Sequence, residues 1–379
     1  MKKAEAFPGV EEILSALIGF PTINGDELPA AQHIAGWLES LGMTVMVQDL
    51  GNNRGNVFAT IGQGETLLFT GHLDVVPAQG AWQSNPFEMI SKGERYYGRG
   101  CADMKGGIAA MISAAARLIA EKPNFNKKIA LLFVADEEQN NQGTNHFIET
   151  AEAEITGCVI GEPTEMEIAV AHKGVARHRI EIKGRSAHAS LPNEGINALE
   201  GAAAVIAALQ KEHRRIAEEV HPILPPQSLQ VTLLRGGEQE NIIPGEAVMM
   251  TDHRLFPYMT WDMAAKQIEK VVEEVGKTHR SFRFSVHRHC FLPGGEISPE
   301  HPWAARCLEL AEKHHGRAMR PTEFRAGCEM SLFVNAGIPT VVCGPGNISQ
   351  AHIIDEWILK SQLTEAEAFY LELMRDFLA

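Results

Sequence analysis

The stretch Leu67–Asp74 has the sequence LLFTGHLD and continues into Val-Val-Pro. The apolar run Leu67–Phe69 predicts a buried β-strand that Gly71 ends. His72 and Asp74 follow two residues apart, and in an extended segment such residues point the same way. Open α/β sheets place their sites at the carboxyl ends of central strands. We therefore interpret this stretch as half of a metal centre.

The elements on both sides of this stretch alternate between strands and helices. Apolar or alternating runs bounded by turn residues predict strands, and apolar residues at helical spacing predict helices. The predicted strands span 45–49, 56–61, 128–135 and 157–161, and the predicted helices span 9–18, 28–42, 108–120 and 143–150. This βαβαβ order predicts an α/β fold with a doubly wound, largely parallel sheet.

The order of elements changes near residue 174. Strands at 175–182, 229–234, 245–255 and 282–287, with helices at 198–209 and 261–275, give the order β-α-β-β-α-β. That order is the ferredoxin-like α+β plan, in which an antiparallel sheet carries two helices on one face. Helices at 302–315, at 330–336 and from Thr364, with a strand at 340–343, return the chain to the first pattern.

The length also indicates two domains, because 379 residues exceed one ordinary hydrophobic core. We predict a catalytic domain formed by residues 1–173 and 288–379. A ferredoxin-like lid domain, residues 174–287, is inserted into it.

Charge and cysteine usage exclude several classes of function. The formal net charge is -14, which disfavours nucleic acid or an anionic membrane as a partner. The sequence has no run of about 18 apolar residues to span a bilayer, and its first residues lack the apolar core of a signal peptide. The six cysteines form no Cys-x-x-Cys pair, which fits reduced thiols in a cytoplasmic protein. We expect a cytoplasmic protein that binds a small molecule.

Several side chains that can bind metal follow the predicted strands and loops. They are His72, Asp74, Asp103, Glu137, Glu138, Glu162 and His352. Each has a simpler structural interpretation when taken alone. A histidine after a strand is usually hydrogen bonded within the fold, an Asp-Glu-Glu run is usually a solvated turn, and Asp103 would cap a helix.

Taken together, these residues favour a metal site. Carboxylates that converge at one sheet edge repel each other, and burying them without a cation costs several kcal/mol each. Two histidines and three or four carboxylates suit two Zn²⁺ ions about 3.5–4 Å apart, with one carboxylate bridging them. Because no cysteine belongs to the set, the site is of the open, catalytic type.

Seven motifs occur in order along the chain: GHLDVVP, YGRGCADMKGG, ADEE, IGEPT, HKG, GRSAHAS and GPGNISQAH. In this order they resemble the dinuclear-zinc amidohydrolase and peptidase family, over essentially the whole chain. That family includes acetylornithine deacetylase, succinyl-diaminopimelate desuccinylase, aminoacylase and glutamate carboxypeptidase. The resemblance implies a catalytic α/β domain with an inserted lid, and a homodimer formed through that lid.

The resemblance also implies a role for each residue of the metal site. Asp103 would bridge two zinc ions, with His72 and Glu162 on one ion and Glu138 and His352 on the other. Glu137 would be the general base that deprotonates a water shared by the two ions. Asp74 would support His72 from behind and fix its tautomer. The peptide bond between Asp103 and Met104 would be cis, and Co²⁺ could substitute for Zn²⁺.

Three further residues are implied by the resemblance in the predicted lid. His188 would donate a hydrogen bond to the tetrahedral oxyanion, from its own subunit or from a partner subunit. Its simpler interpretation is a loop histidine. Asn241 and Arg254 would recognise the substrate carboxylate, since an arginine fork suits a carboxylate. Either could equally serve a turn or a salt bridge within the lid.

The implied reaction is removal of an acyl group from an N-acyl amino acid. HKG and GPGNISQAH resemble the acetylornithine deacetylase branch most closely, which implies N-acetylornithine or a similar N-acetyl amino acid and a place in arginine biosynthesis. A dipeptidase, a carboxypeptidase or a succinyl-diaminopimelate desuccinylase is the alternative, and a binding module that has lost the chemistry is a second. The segment Ala326–Glu329 departs from the family pattern, and Arg325 beside it is a candidate pocket residue.

Overall fold

The computed structural model describes residues 7–23, 25–151 and 154–379. It divides into two compact units. The first is formed by the chain up to Val170 and from Glu296 onward, and the second by Ala171–Gly295. Among the described helices, none is long and apolar enough to cross a membrane.

Nine α-helices lie within the described residues. They are α1 (Val10–Ile18), α2 (Leu28–Ser40), α3 (Lys105–Ala120), α4 (Gln142–Thr150), α5 (Ala198–Ile216), α6 (Trp261–Thr278), α7 (Pro302–His315), α8 (Met330–Asn335) and α9 (Lys360–Leu378). The helices predicted from apolar spacing are all present. The main differences are that α3 and α9 begin earlier than predicted and that α5 runs a further two turns.

The same residues contain eighteen strands. The first nine are β1 (Thr44–Gly51), β2 (Arg54–Ile61), β3 (Thr66–His72), β4 (Ile90–Lys92), β5 (Arg95–Tyr97), β6 (Lys128–Val134), β7 (Ile155–Ile160), β8 (Ala169–His172) and β9 (Gly174–Lys183). The others are β10 (Ala187–His188), β11 (Ser228–Gly236), β12 (Ile242–Ile243), β13 (Glu246–Leu255), β14 (Arg283–Leu292), β15 (Gly295–Glu296), β16 (Thr322–Phe324), β17 (Thr340–Val342) and β18 (Trp357–Leu359).

The large sheet has the strand order β1-β2-β6-β3-β7-β17-β8-β15, with β16 paired to β8. Its centre is parallel, because β3 pairs in parallel with both β6 and β7, and β17 pairs in parallel with β7. The β1–β2, β2–β6 and β17–β8 pairs are antiparallel. The predicted α/β fold with a largely parallel sheet is confirmed.

Strand β3 lies in the middle of this sheet and is buried along its whole length. Burial on both faces explains its continuous apolar sequence, since parallel strands are covered on both sides. On one face Phe69 packs edge-on against Tyr370 of α9, with ring centroids 5.6 Å apart. The strand therefore holds its carboxyl end, which carries His72, in a fixed position.

The second unit is a four-stranded antiparallel sheet with the order β11-β13-β9-β14. Helices α5 and α6 pack on one face through an apolar core, which includes Ile180, Val205, Met249 and Ile268. The chain order of these elements is β-α-β-β-α-β. This is the predicted ferredoxin-like plan.

The segment between Pro77 and Lys105 is rich in turn residues, but it is not all loop. Strands β4 and β5 form a hairpin there, and β18 pairs with β5 to give a three-stranded sheet. Each strand is only three residues long, so no periodic pattern marks it. The partner strand β18 lies far away in sequence.

Candidate metal centre

Three neighbouring parallel strands deliver the predicted side chains to one edge of the sheet. His72 ends β3, and Asp74 follows two residues later. Glu137 and Glu138 lie in the turn after β6, and Glu162 follows β7. Because β3 pairs with both β6 and β7 in parallel, the carboxyl ends of all three strands meet there.

The His72 ring is fully buried and has partners on both nitrogens. Its Nδ1 lies 2.9 Å from the carbonyl oxygen of Asp74, so Nδ1 carries the hydrogen and donates it. Its Nε2 lies 3.0 Å from Asp103 Oδ1 and 3.4 Å from Glu162 Oε1. The backbone thus fixes the tautomer that directs Nε2 toward the carboxylates.

Asp103 lies between the two histidines. While Oδ1 faces His72, its other oxygen, Oδ2, is 3.3 Å from Nε2 of His352. The same His352 nitrogen is 3.0 Å from Glu138 Oε1. One carboxylate therefore joins two imidazoles, each of which has a second carboxylate beside it. A carboxylate in this position is suited to bridge two metal ions.

Ligand atoms of these residues lie close enough to hold metal ions. His72, Glu137 and Glu162 offer three atoms that all lie within 4.8 Å of one another, and so do His72, Asp103 and Glu138. Glu137, predicted as a base, thus lies close enough to His72 and Glu162 to bind an ion together with them.

The pKa shifts of the residues in this centre show that its electrostatics favour positive charge. Burial and the nearby Asp103 raise the pKa of Glu162 to about 7. Hydrogen bonds to Asp103 and Glu138 raise the pKa of His352 to about 10. Burial disfavours a charged His72, but hydrogen bonds to Asp103 and Glu162 outweigh it and hold its pKa well above the usual value. Positive charge is therefore stabilised at both histidines, as expected where carboxylates converge. The imidazole and carboxylate donors of the centre fit two ions such as Zn²⁺.

Asp74 supports the turn after β6. Its Oδ1 and Oδ2 accept the backbone N–H groups of Glu137 and Glu138 at 3.1 and 2.9 Å. Its Oδ1 is 3.6 Å from Nδ1 of His72, whereas the backbone carbonyl oxygen of Asp74 is 2.9 Å from the same nitrogen. The Asp74 carboxylate thus holds the Glu137 turn, while its carbonyl group orients the histidine.

The loop that carries Asp103 is organised by Glu356, a residue that no sequence motif marks. Glu356 is fully buried. One of its oxygens accepts the N–H groups of Ala102 and Asp103 at 2.9 and 3.1 Å. The other accepts the N–H of Gly100 at 3.0 Å and Nη1 of Arg99 at 2.7 Å. The carboxylate of Glu356 therefore fixes the backbone at Asp103.

Two local features complete the surroundings of Asp103. The Asp103–Met104 peptide bond is cis, as the resemblance implied. A Cβ at Gly107 would lie 2.3 Å from the carbonyl oxygen of Gly161. Glycine at this position lets α3 approach the end of β7, which places Asp103 and Glu162 at the same edge.

The segment that departs from the family pattern also contains a buried acid. Glu329 is 1% exposed and accepts a hydrogen bond from Thr144 Oγ1. Burial raises the pKa of Glu329 to about 7. Arg325, by contrast, has a side chain that is 81% exposed, with its Nε 3.7 Å from Glu323. Of the two residues, only Glu329 is buried within the first unit.

The second unit contains the three residues predicted in the lid. Strand β10 pairs with β12, so that His188 lies opposite Ile242, and the N–H of Ala189 donates to the carbonyl oxygen of Asn241 at 2.9 Å. His188 and Asn241 thus lie on adjoining segments, and His188 is exposed. Arg254 lies apart from them on β13, where its Nε donates to Asp252 at 2.8 Å.

Comparison with known proteins gives consistent matches. A sequence model of the peptidase family M20/M25/M40 matches residues 68–376. An acetylornithine deacetylase of Vibrio cholerae is 32% identical over 364 residues, with 93% of this chain and 94% of that protein covered. One from Pectobacterium carotovorum is 33% identical over 365 residues, with 93% of each chain covered.

Solved structures share the fold. An aminopeptidase from Bacillus cereus superimposes with a TM-score of 0.82 at 21% identity, covering 98% of each chain. An M20 family metallo-carboxypeptidase from Sulfolobus solfataricus gives a TM-score of 0.81 at 19% identity, covering 98% of this chain and 99% of that one.

Proposed function

Since the chain belongs to peptidase family M20/M25/M40, we propose that it is a dinuclear zinc hydrolase that removes the acyl group of an N-acyl amino acid. N-Acetylornithine, or a similar N-acetyl amino acid, is the proposed substrate. The relatives named acetylornithine deacetylase support this choice, because they match over almost the entire chain. We place the enzyme in the cytoplasm as a homodimer formed through the second unit, with a role in arginine biosynthesis.

One observation carries the proposal. The Asp103 carboxylate has one oxygen 3.0 Å from Nε2 of His72 and the other 3.3 Å from Nε2 of His352. A carboxylate shared between two imidazoles suits a pair of metal ions. We assign His72 and Glu162 to one ion, Glu138 and His352 to the other, and Asp103 to both. When bound, such ions act as Lewis acids on an amide carbonyl and lower the pKa of water.

Glu137 is proposed to move the proton of the reaction. Its carboxylate would accept a proton from the attacking water and return it to the nitrogen of the leaving amine. The Glu137 backbone N–H is held by Asp74, which limits the positions its side chain can take. Burial raises the pKa of the Glu137 carboxyl well above its usual value, and the neighbouring Glu162 adds to this effect.

Residues of the second unit are proposed to bind the acyl amino acid. His188 would donate a hydrogen bond to the developing oxyanion. Its Nδ1 is 2.7 Å from Ser190 Oγ, which leaves Nε2 for the substrate. Asn241 and Arg254 would bind the substrate carboxylate, with the guanidinium fork of Arg254 giving two parallel hydrogen bonds.

A substrate panel on the zinc-loaded enzyme tests this proposal. The panel contains N-acetylornithine, other N-acetyl amino acids, N-succinyl-diaminopimelate and dipeptides. We expect the highest kcat/KM for an N-acetyl amino acid. Hydrolysis of dipeptides alone would contradict the deacetylase assignment, preference for the succinyl compound would move the enzyme to the desuccinylase branch, and no hydrolysis of any amide would support a binding module.

A further inference from the structure

The segment Arg54–Asn56 begins strand β2, directly after a turn cluster that the proposed function does not use. Strand β2 pairs with β6 only from Val57, opposite Phe133, to Ile61, opposite Ile129. Arg54 and Asn56 therefore lie beyond the ladder, next to the turn that follows β6. Their side chains contact that turn where backbone pairing stops.

Asn56 closes the two ends of the turn. Its Oδ1 accepts the N–H of Ala135 at 3.0 Å, and its Nδ2 donates to the carbonyl oxygen of Gly143 at 2.9 Å. A Cβ at Gly143 would lie 2.4 Å from Asn56 Oδ1, so glycine is needed for this close approach. Residues 135 and 143, which bracket Glu137 and Glu138, are thus tied together by one fully buried side chain.

Arg54 holds the residue immediately before the proposed base. Its guanidinium forms an ion pair with Asp136, whose side chain is 0% exposed, while that of Arg54 is 12% exposed. Asp136 has a left-handed backbone with φ of 70°, a conformation that residues other than glycine keep only when their surroundings enforce it. The carbonyl oxygen of Asp136 also accepts the N–H groups of Asn140 and Asn141. The backbone conformation of Asp136 thus determines the direction of the chain at Glu137.

The charges around Arg54 also make this ion pair important. Glu27 is fully buried nearby, and neither of its carboxylate oxygens has a hydrogen-bond partner among the described residues. The charges of Asp74 and Asp136 raise the pKa of Glu27, and the charge of Arg54 opposes them. Removing the Arg54 charge would leave the Asp136 carboxylate buried without its counter-ion, which is strongly unfavourable.

We propose that Arg54 is a positioning residue for Glu137 and acts through Asp136. The Arg54–Asp136 ion pair would keep the turn in the one conformation that directs the Glu137 carboxylate to the reacting atoms. This inference rests on the proposed role of Glu137 as the base.

The first test is Arg54→Gln, with Arg54→Lys and Asp136→Asn as companions. We expect Arg54→Gln to lower kcat about 10–100-fold, the size typical of lost support around a metal site, with a change in KM of less than about threefold. Bound metal should stay at the wild-type level, and Arg54→Lys should recover part of kcat. If Arg54→Gln does not fold, Asp136→Asn removes the same ion pair without deleting the arginine.

Hydrogen exchange of the metal-free protein gives a readout that is independent of activity. We expect faster amide exchange at residues 135–143 in Arg54→Gln and unchanged exchange in β13. The matched control is Arg306→Gln, which breaks a hydrogen-bonded ion pair with Asp376 between α7 and α9. The control should leave both kcat and exchange at residues 135–143 unchanged. Normal exchange at 135–143 in Arg54→Gln would overturn the proposal.

A double-mutant cycle with Glu137→Gln separates this inference from the proposed function. If Arg54 acts through Glu137, adding Arg54→Gln to Glu137→Gln should reduce the residual kcat less than twofold. An equal loss in both backgrounds, or loss of bound metal in Arg54→Gln, would overturn the role of Arg54. Near wild-type turnover of Glu137→Gln alone would instead show that Glu137 is not the base, and the proposed function would fail there.

Discussion

His72 in the first unit and His178 and His253 in the second are all fully buried, yet their surroundings favour opposite charges. Both ring nitrogens of His72 have polar partners, and carboxylates surround its Nε2. The ring nitrogens of His178 and His253 have no hydrogen-bond partner among the described residues. Burial lowers the pKa of each of these two to about 4, so they stay neutral where His72 is driven toward the cation.

The difference follows from position in the strand. His72 ends a parallel strand, where neighbouring strands also end in carboxylates. His178 and His253 lie within β9 and β13 on the face that α5 and α6 cover, and the ring centroid of Trp261 is 4.9 Å from that of His178. A buried histidine thus indicates a metal site only when the surrounding strands end in carboxylates as well.

Removing the metal should have the largest effect and tests the His72 side of this comparison. Incubation with a chelator should reduce amide hydrolysis to background, because the converging carboxylates then lack the cations that polarise the substrate. Zinc or cobalt should restore activity. The measurement is the hydrolysis rate of an N-acetyl amino acid together with the metal content. Activity that survives complete removal of metal would show that the convergence of carboxylates at His72 has another purpose.

The next largest effect is expected at Glu356. Glu356→Gln keeps the shape of the side chain but removes the charge that accepts four hydrogen bonds around Asp103. We expect about 10–100-fold weaker metal binding or activity, measured by zinc titration against a competing chelator. Glu121→Gln is the matched control, since Glu121 pairs with Arg375 on the surface. Unchanged zinc affinity in Glu356→Gln would show that the Asp103 loop holds its conformation without this carboxylate.

The candidate ligands His72, Glu138 and Glu162 were predictable because each follows a local signal. LLFTGHLD, KIALLFVADEE and GCVIGEP each place a polar residue at the end of an apolar run. Parallel pairing then brings the three ends together, a result that strand order alone implies. The fold class followed from the same local patterns.

Other contacts could not be predicted because they join distant segments without a pattern. Glu356 reaches Asp103 across 253 residues, and in the sequence it is one acid in a loop. The contact between Arg54 and Asp136 depends on where the β2–β6 ladder stops, which no periodicity marks. The alternation of Val175–Ile182 predicted β9 correctly but gave no sign that His178 would be buried without a polar partner.

The pH dependence of folding stability tests the two buried histidines of the second unit, and the expected effect is smaller. His178 and His253 have pKa values of about 4 in the folded chain, against about 6.5 when unfolded. The folded state therefore binds fewer protons than the unfolded state between these values, and stability falls as the pH drops below about 6.5. At pH 5 we expect each histidine to cost about 1–2 kcal/mol of stability. Urea unfolding from pH 7 to 4.5 measures this.

Substituting each histidine separates its contribution to the pH dependence of stability from the contributions of other titrating groups. Arg288 disfavours a charged His178, while Glu212 and Asp252 favour a charged His253. His178→Phe, which keeps the ring contact with Trp261, and His253→Leu should each flatten the pH dependence, because both rings have a pKa of about 4. A pH dependence identical to that of the wild type in both variants would mean that these rings already reach a proton acceptor.

The smallest effect on stability is expected on the opposite face of the same sheet. There Asp252 accepts hydrogen bonds from Arg177 and Arg254, whose side chains are 43% and 40% exposed. Such partly exposed pairs contribute about 0–1 kcal/mol, so Arg254→Gln should change the free energy of unfolding by no more than that.

If Arg254 also binds the substrate carboxylate, the same variant should raise KM about tenfold or more, the effect of losing a charge-assisted contact. Arg177→Gln breaks the equivalent pair and should leave KM unchanged. Equal KM values for the two variants would reduce Arg254 to a salt-bridge residue, and the carboxylate would then have to be recognised elsewhere.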